Sequence, residues 1–127
     1  MTIQLNHTIV AARDKAAAAE FVAGMLGLEV GAPFGPFLPV ETANGVTLDF
    51  MDAGSKAIAP QHYAFLASEE EFDAIFARIQ QARVPFYADP AHQEAGEINH
   101  LHGGRGVYFD DPNGHKLEII TRPYGSG

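Results

Sequence analysis

The sequence predicts an α+β fold in which one strand–helix–strand unit is used twice. Three observations lead to it. Both halves of the chain run through the same order of elements. Each half opens with a His in its first strand and closes with an acid in its last. The length, 127 residues, fits one compact domain made of two modules, about 1–55 and 58–122.

The elements follow in order. His7-Thr8-Ile9-Val10-Ala11-Ala12 is apolar and bounded by polar residues, as a short strand is. A helix is expected from about Asp14 to Leu26, with Phe21, Val22 and Met25 on one face and Gly27 as its cap. After turn-rich residues 31–36 come the apolar run Phe37-Leu38-Pro39-Val40, the turn Ala43-Asn44-Gly45 and the strand Val46 to Met51. Asn-Gly between two apolar runs is a strong hairpin signal.

The second half begins with His62-Tyr63-Ala64-Phe65-Leu66-Ala67, another strand. Ser68-Glu69-Glu70-Glu71 has the form of a capping box, and Phe72, Ile75, Phe76 and Ile79 recur at helical spacing. Val84-Pro85-Phe86-Tyr87 is extended. A polar loop then leads to the strand Gly106–Phe109, the turn Asp111-Pro112-Asn113-Gly114 and the strand Lys116–Ile120.

Thr47-Leu48-Asp49-Phe50 therefore corresponds to Lys116-Leu117-Glu118-Ile119. From His7 to Asp49 is 42 positions and from His62 to Glu118 is 56, so the second half carries fourteen extra residues. They fall in the loop from about Asp89 to Arg105, and long loops in compact domains are often functional.

Composition narrows the function. The net charge is −8 without a basic cluster, which excludes phosphate backbones and so nucleic acid as a partner. Cysteine is absent, excluding disulfides and thiolate chemistry. No apolar run is long enough to cross a membrane, and the first residues lack a secretory pattern, so a cytoplasmic address is expected.

A single His in a strand is ordinarily a core or edge residue, and Asp49 alone is ordinarily a solvated carboxylate. The recurrence in both halves changes the balance. A pseudo-two-fold would bring His7 opposite His62 and Asp49 opposite Glu118, and Glu118 lies in an apolar run where an unpaired carboxylate is costly. Two imidazoles and a carboxylate suit one divalent metal ion, Fe, Mn, Ni or Zn, with open positions for substrate. The predicted ligands are His7, His62 and Glu118, with Asp49 as a candidate fourth.

These residues resemble the vicinal oxygen chelate superfamily of glyoxalases, extradiol dioxygenases, fosfomycin-resistance enzymes and bleomycin-binding proteins. The motifs are Leu5-Asn6-His7-Thr8, Leu26-Gly27-Leu28, Gln61-His62-Tyr63-Ala64 and, most specifically, Tyr108-Phe109-Asp110-Asp111-Pro112-Asn113-Gly114-His115-Lys116-Leu117-Glu118, and the likeness covers about residues 3–122. It implies paired βαβββ modules forming a curved mixed sheet around a metal-binding cleft, usually in a homodimer. Some members build each site from both chains.

Within the superfamily, glyoxalase I places a fourth ligand, a Glu, at the position of Asp49, which is one methylene shorter. Tyr108 sits ten residues before Glu118, the offset of the active-site Tyr of extradiol dioxygenases. Fosfomycin-resistance members surround the phosphonate with Ser and Lys, where this chain has His100, His102 and Arg105, so that branch is disfavoured.

Tyr108 and His102 are accordingly candidate catalytic residues. His100 and Arg105 are candidate substrate contacts. Phe34, Phe37, Phe50 and Phe65 belong to the core by default, with Phe50 a candidate to line a pocket for an aromatic or polyketide-like ligand. His115, in the turn, is expected to be exposed.

The function expected is a metal-dependent enzyme of glyoxalase or dioxygenase type, acting on a small substrate that chelates the ion through adjacent oxygens. The alternative is a metal-independent protein that sequesters an aromatic or hydrophobic natural product, as bleomycin-resistance proteins do.

Overall fold

A computed structural model describes residues 2–127. The chain divides into two compact units, Met1–Ala59 and Pro60–Gly127.

The first unit contains β1 (His7–Ala12), α1 (Lys15–Leu26), β2 (Leu38–Glu41) and β3 (Thr47–Asp52). Its sheet has the order β1-β3-β2, with β1 parallel and β2 antiparallel to β3. Asp14 caps α1, its carboxylate accepting from the N–H groups of Ala16 and Ala17. Gly27 ends the helix in the left-handed region at φ 73°, which glycine adopts without steric cost. The face α1 buries is Ala18, Ala19, Val22 and Ala23, while Phe21 and Met25 are only half-buried. Periodicity alone favoured the larger residues. Alanine instead lets the helix backbone lie close over all three strands of the sheet.

The second unit contains β4 (His62–Leu66), α2 (Glu69–Gln81), a 3-10 turn (Leu101–Gly103), β5 (Gly106–Asp110) and β6 (Lys116–Ile120). The order β4-β6-β5 repeats the first sheet, again with one parallel and one antiparallel neighbour. The capping box forms as expected: Glu71 N–H donates to Ser68 Oγ at 3.1 Å, and Ser68 N–H donates to Glu71 Oε1 at 2.8 Å. Phe72, Ile75 and Ile79 are buried.

Register carries the internal repeat further than residue identity does. Ile9, Asp49 and Pro39 stand side by side in one sheet, as Ala64, Glu118 and Tyr108 do in the other. The remaining strand that the resemblance implies for each module is reduced to isolated bridges, Val30 with Val40 in the first and Tyr87 with Tyr108 and Ala95 in the second. Pro39 has no N–H to extend the first bridge, and Pro85 and Pro90 flank the second.

The long loop is ordered by its own polar groups. The Asp89 carboxylate accepts from the N–H groups of Gln93 and Glu94, and the Asn99 amide donates to Ala88 O at 2.9 Å. Asn99 also pairs with Gly106 through two backbone hydrogen bonds of 2.9 Å. A Cβ on Gly106 would come within 2.8 Å of Asn99 Oδ1, so that position needs glycine.

Candidate functional site

Strand alternation sorts the second sheet into two faces. Tyr63, Phe65, Val107, Phe109, Leu117 and Ile119 form the apolar face, of which Val107, Phe109, Leu117 and Ile119 are buried. His62, Ala64, Lys116, Glu118, Tyr108 and Asp110 share the opposite face. All the chemistry of the unit's sheet therefore lies on one side.

Glu118 is the centre of that side. It is 2% exposed, and a carboxylate so buried requires partners. His62 Nε2 lies 2.9 Å from Oε1. The Tyr124 hydroxyl lies 2.7 Å from Oε1 and 2.8 Å from Oε2. The Tyr108 hydroxyl is 3.4 Å from that of Tyr124, and the Tyr108 ring meets His62 edge-on at 5.9 Å. Burial, then hydrogen bonding to Tyr124 and Glu118, pushes the Tyr108 phenol far above its ordinary value. It therefore stays protonated at neutral pH. Tyr124 is raised as well: the Tyr108 hydroxyl pulls it down, but burial and the Glu118 carboxylate outweigh that pull.

The other expected site residues take separate places. His7 is exposed at the start of β1, and its Nδ1 is 2.7 Å from Asn6 Oδ1. Asp49 is buried on the same face of the first sheet as His7, which corrects its picture as a solvated carboxylate. Phe50 faces the other way, beside Val10 and Leu38, and is 1% exposed. It is a core residue, and strand alternation takes it off the face that carries His7 and Asp49.

His102 stacks on Tyr124 at 4.6 Å, and its Nδ1 accepts from Gly125 N–H at 3.1 Å. A nitrogen that accepts there carries no proton, so His102 is held as the Nε2–H tautomer. His100 is exposed just before the 3-10 turn. Arg105 donates to Glu69 and Asp73 at 2.7 and 2.8 Å and lies over the Phe72 ring. Its charge is already matched by two carboxylates, which locks the loop end to α2.

His115 is 1% exposed, against expectation, and its Nδ1 accepts from Gln61 N–H at 3.0 Å. The turn causes this. Asp111 Oδ1 accepts from the N–H groups of Asn113 and His115, and Gly114 turns at φ 84°, so the His115 ring is drawn inward against Tyr63.

Three participants left little trace in the sequence. Tyr124 follows the last strand, outside any periodic segment. His92 and Asp110, 3.3 Å apart, line a cavity of ≈ 440 Å³ together with His62 and Lys116. His92 also stacks flat on Tyr87 at 3.9 Å, with its backbone at φ 59°.

An imidazole and a carboxylate are donor types that a divalent ion takes. Among the described residues, no group of three or more His, Asp or Glu gathers as a metal cluster, and His62 and Glu118 stand as a pair. Donors bound to one ion at about 2.0–2.2 Å stand roughly 3 Å apart when adjacent, and this pair is separated by 2.9 Å. Among the described residues the ion-pair partner of the buried carboxylate is His62, and a cation there would offset its charge.

Two repeated α+β modules, each with an imidazole and a carboxylate on one sheet face, define a class of small site-bearing folds. The sequence profile of the Glyoxalase/Bleomycin resistance protein/Dioxygenase superfamily matches residues 4–119, and the chain belongs to that family. Among solved structures, Oxidase ChaP-H2 is 64% identical with a TM-score of 0.97, covering 100% of this chain and 99% of the other. Oxidase ChaP-H1 is 55% identical with a TM-score of 0.95, covering 98% and 100%. Among curated proteins, glutathione transferase FosA of Serratia marcescens is 32% identical, over 94% of this chain and 81% of the relative.

Proposed function

We propose that this chain is a metal-dependent oxidase acting on a small substrate that chelates one divalent ion through two adjacent oxygens. The carrying observation is the 2.9 Å pairing of His62 Nε2 with the buried Glu118 carboxylate, beside a protonated Tyr108. The oxidases that are 64% and 55% identical over nearly the whole chain support the reaction type.

In this reading His62 and Glu118 supply two ligands and His7 the third. Mixing of variant chains, below, decides whether that His7 belongs to the same chain or to the partner in a homodimer. Asp49 is the candidate fourth. When bound, the ion polarises the substrate oxygens as a Lewis acid. The residues do the rest. Tyr108 delivers a proton to the substrate, and the cavity beside His62 receives the part of the substrate that extends past the ion. Molecular oxygen is the oxidant.

The FosA relative supports a second reading, thiol addition by a metal-dependent transferase. The two separate in one set of assays. Chain reconstituted with Fe(II), Mn(II), Ni(II) or Zn(II) is given catechol- and hydroxyquinone-class compounds under oxygen, and separately glutathione with fosfomycin. Metal-dependent oxygen uptake that His62→Ala abolishes is the expected result. Glutathione adduct formation without oxygen uptake would replace the oxidase reading with the transferase. Tight binding of an aromatic compound by a chain that takes up no metal would favour sequestration instead.

Ligand sharing is tested by mixing His7→Ala and Glu118→Ala chains. If the partner supplies His7, mixed dimers regain one complete site. No regained metal binding in a confirmed mixed dimer places all the ligands in one chain.

A further inference from the structure

Tyr124 touches Glu118 more closely than any other side chain does. Its hydroxyl is 2.7 Å from Oε1 and 2.8 Å from Oε2, so it straddles the carboxylate. The Tyr108 hydroxyl, 3.4 Å away, can donate to the Tyr124 oxygen and leave the Tyr124 proton for Glu118. The geometry is that of a chain from Tyr108 through Tyr124 to the carboxylate.

The Tyr124 ring is itself held from two directions. It stacks on His102 with centroids 4.6 Å apart and planes 23° from parallel. The next residue, Gly125, donates its N–H to His102 Nδ1 at 3.1 Å. The loop bearing His102 can lie this close to residues 121–127 because it carries glycine where the approach is tightest. A Cβ on Gly104 would stand 2.4 Å from Thr121 Oγ1 and 2.6 Å from Arg122 Cγ, and one on Gly103 would stand 3.4 Å from the Gly127 carbonyl carbon. Gly103 also has φ 78°, a conformation that side chains resist. His102 thus has a place in the site other than acid–base chemistry.

We propose that Tyr124 is a positioning residue for the Glu118 ligand: its hydroxyl, braced by the His102 stack and set across both carboxylate oxygens, fixes the rotation of the carboxylate beside His62. This rests on the reading of His62 and Glu118 as metal ligands. A hydrogen bond from outside the coordination shell orients a ligand and tunes its hold on the ion, and losing such a partner typically weakens metal binding by about 10–100-fold. Without the Tyr124 hydroxyl the carboxylate is free to turn.

The test uses the full chain with Mn(II) for affinity and Co(II) for its visible absorption spectrum, which reports coordination number. Tyr124→Phe keeps the ring on His102 and removes only the hydroxyl. Tyr124→Leu removes both. The expected result is that both variants lose Mn(II) affinity by about the same 10–100-fold factor, that the Co(II) spectrum changes in both, and that Tyr124→Phe keeps the wild-type fold by circular dichroism. Wild-type affinity and spectrum in Tyr124→Phe, with loss only in Tyr124→Leu, would overturn the proposal and leave Tyr124 a packing residue. Wild-type chain that binds neither Mn(II) nor Co(II) would overturn the metal-site reading itself, an outcome distinct from equal binding by wild type and variant.

Discussion

Replacing Glu118 by Gln keeps the shape of the side chain and removes its charge, and the structure sets two opposing effects on stability. The carboxylate is 2% exposed and accepts from His62 at 2.9 Å and Tyr124 at 2.7–2.8 Å. Each hydrogen bond to a charged acceptor contributes about 1 kcal/mol more than its neutral counterpart, so two donors lose roughly 2 kcal/mol. Against that, a buried carboxylate without a full counter-charge carries an effective desolvation penalty of several kcal/mol, which Gln relieves. The metal-free variant should therefore be more stable than the wild type by about 2 kcal/mol. For a chain of this size that raises Tm by roughly 5–10 °C.

With metal the order reverses. An ion at about one hundred times its Kd stabilises the wild type by about 2.7 kcal/mol, and the variant, lacking the anionic ligand, gains little of this. Differential scanning calorimetry in chelator and in excess Mn(II) reads both limbs. The expected signature is a crossover, with the variant melting higher in chelator and lower in metal. A variant that melts below the wild type in chelator, or that shows the same metal-induced rise, would refute the reasoning.

Tyr108→Phe should leave metal stoichiometry unchanged and lower turnover by about 10²-fold or more, measured once an activity is in hand; unchanged turnover would reduce Tyr108 to packing. Ser68→Ala removes one half of the capping box and should cost about 1 kcal/mol in urea denaturation, with metal affinity unaffected. Tyr63, Tyr108 and Tyr124 are all held above the ordinary phenol value, Tyr63 by burial and then Asp111, Tyr108 by burial and then Tyr124 and Glu118, Tyr124 by burial and Glu118 against the pull of Tyr108. The native chain then keeps protons that the unfolded chain releases, so this stability is complete below about pH 10 and falls as pH rises through and beyond it. Urea midpoints should drop on that side, phenolate absorbance should rise together with unfolding, and Tyr108→Phe should flatten the drop.

What the sequence disclosed depended on how local the determining forces are. Gly27, Ser68 and Glu71 cap their helices through contacts within a few residues, and all three could be placed from composition and spacing. The repeat was legible because strand alternation maps directly to faces, so Glu118 in an apolar run signalled a partnered carboxylate. His115 was misplaced because its ring nitrogen accepts from the N–H of Gln61, 54 positions away. Arg105 looked like a free cation, yet its partners Glu69 and Asp73 lie on a helix some thirty residues earlier. Tyr124 gave no signal at all, since nothing in its neighbourhood has a period.

The repeat also explains why the chemistry concentrates in one half. At the three matched positions of the central row, the first sheet carries Ile9, Asp49 and Pro39, and the second carries Ala64, Glu118 and Tyr108. Ala64 leaves room above the strand where Ile9 fills it. Glu118 reaches one methylene further than Asp49. Tyr108 brings a hydroxyl where Pro39 brings neither side-chain donor nor backbone N–H. Each difference favours the second sheet as the place where a ligand and a proton donor meet. The first sheet keeps His7, whose Nδ1 is in contact with Asn6. A duplicated frame of this kind needs its two halves to match in backbone register only, and the second half then holds the carboxylate beside the phenols.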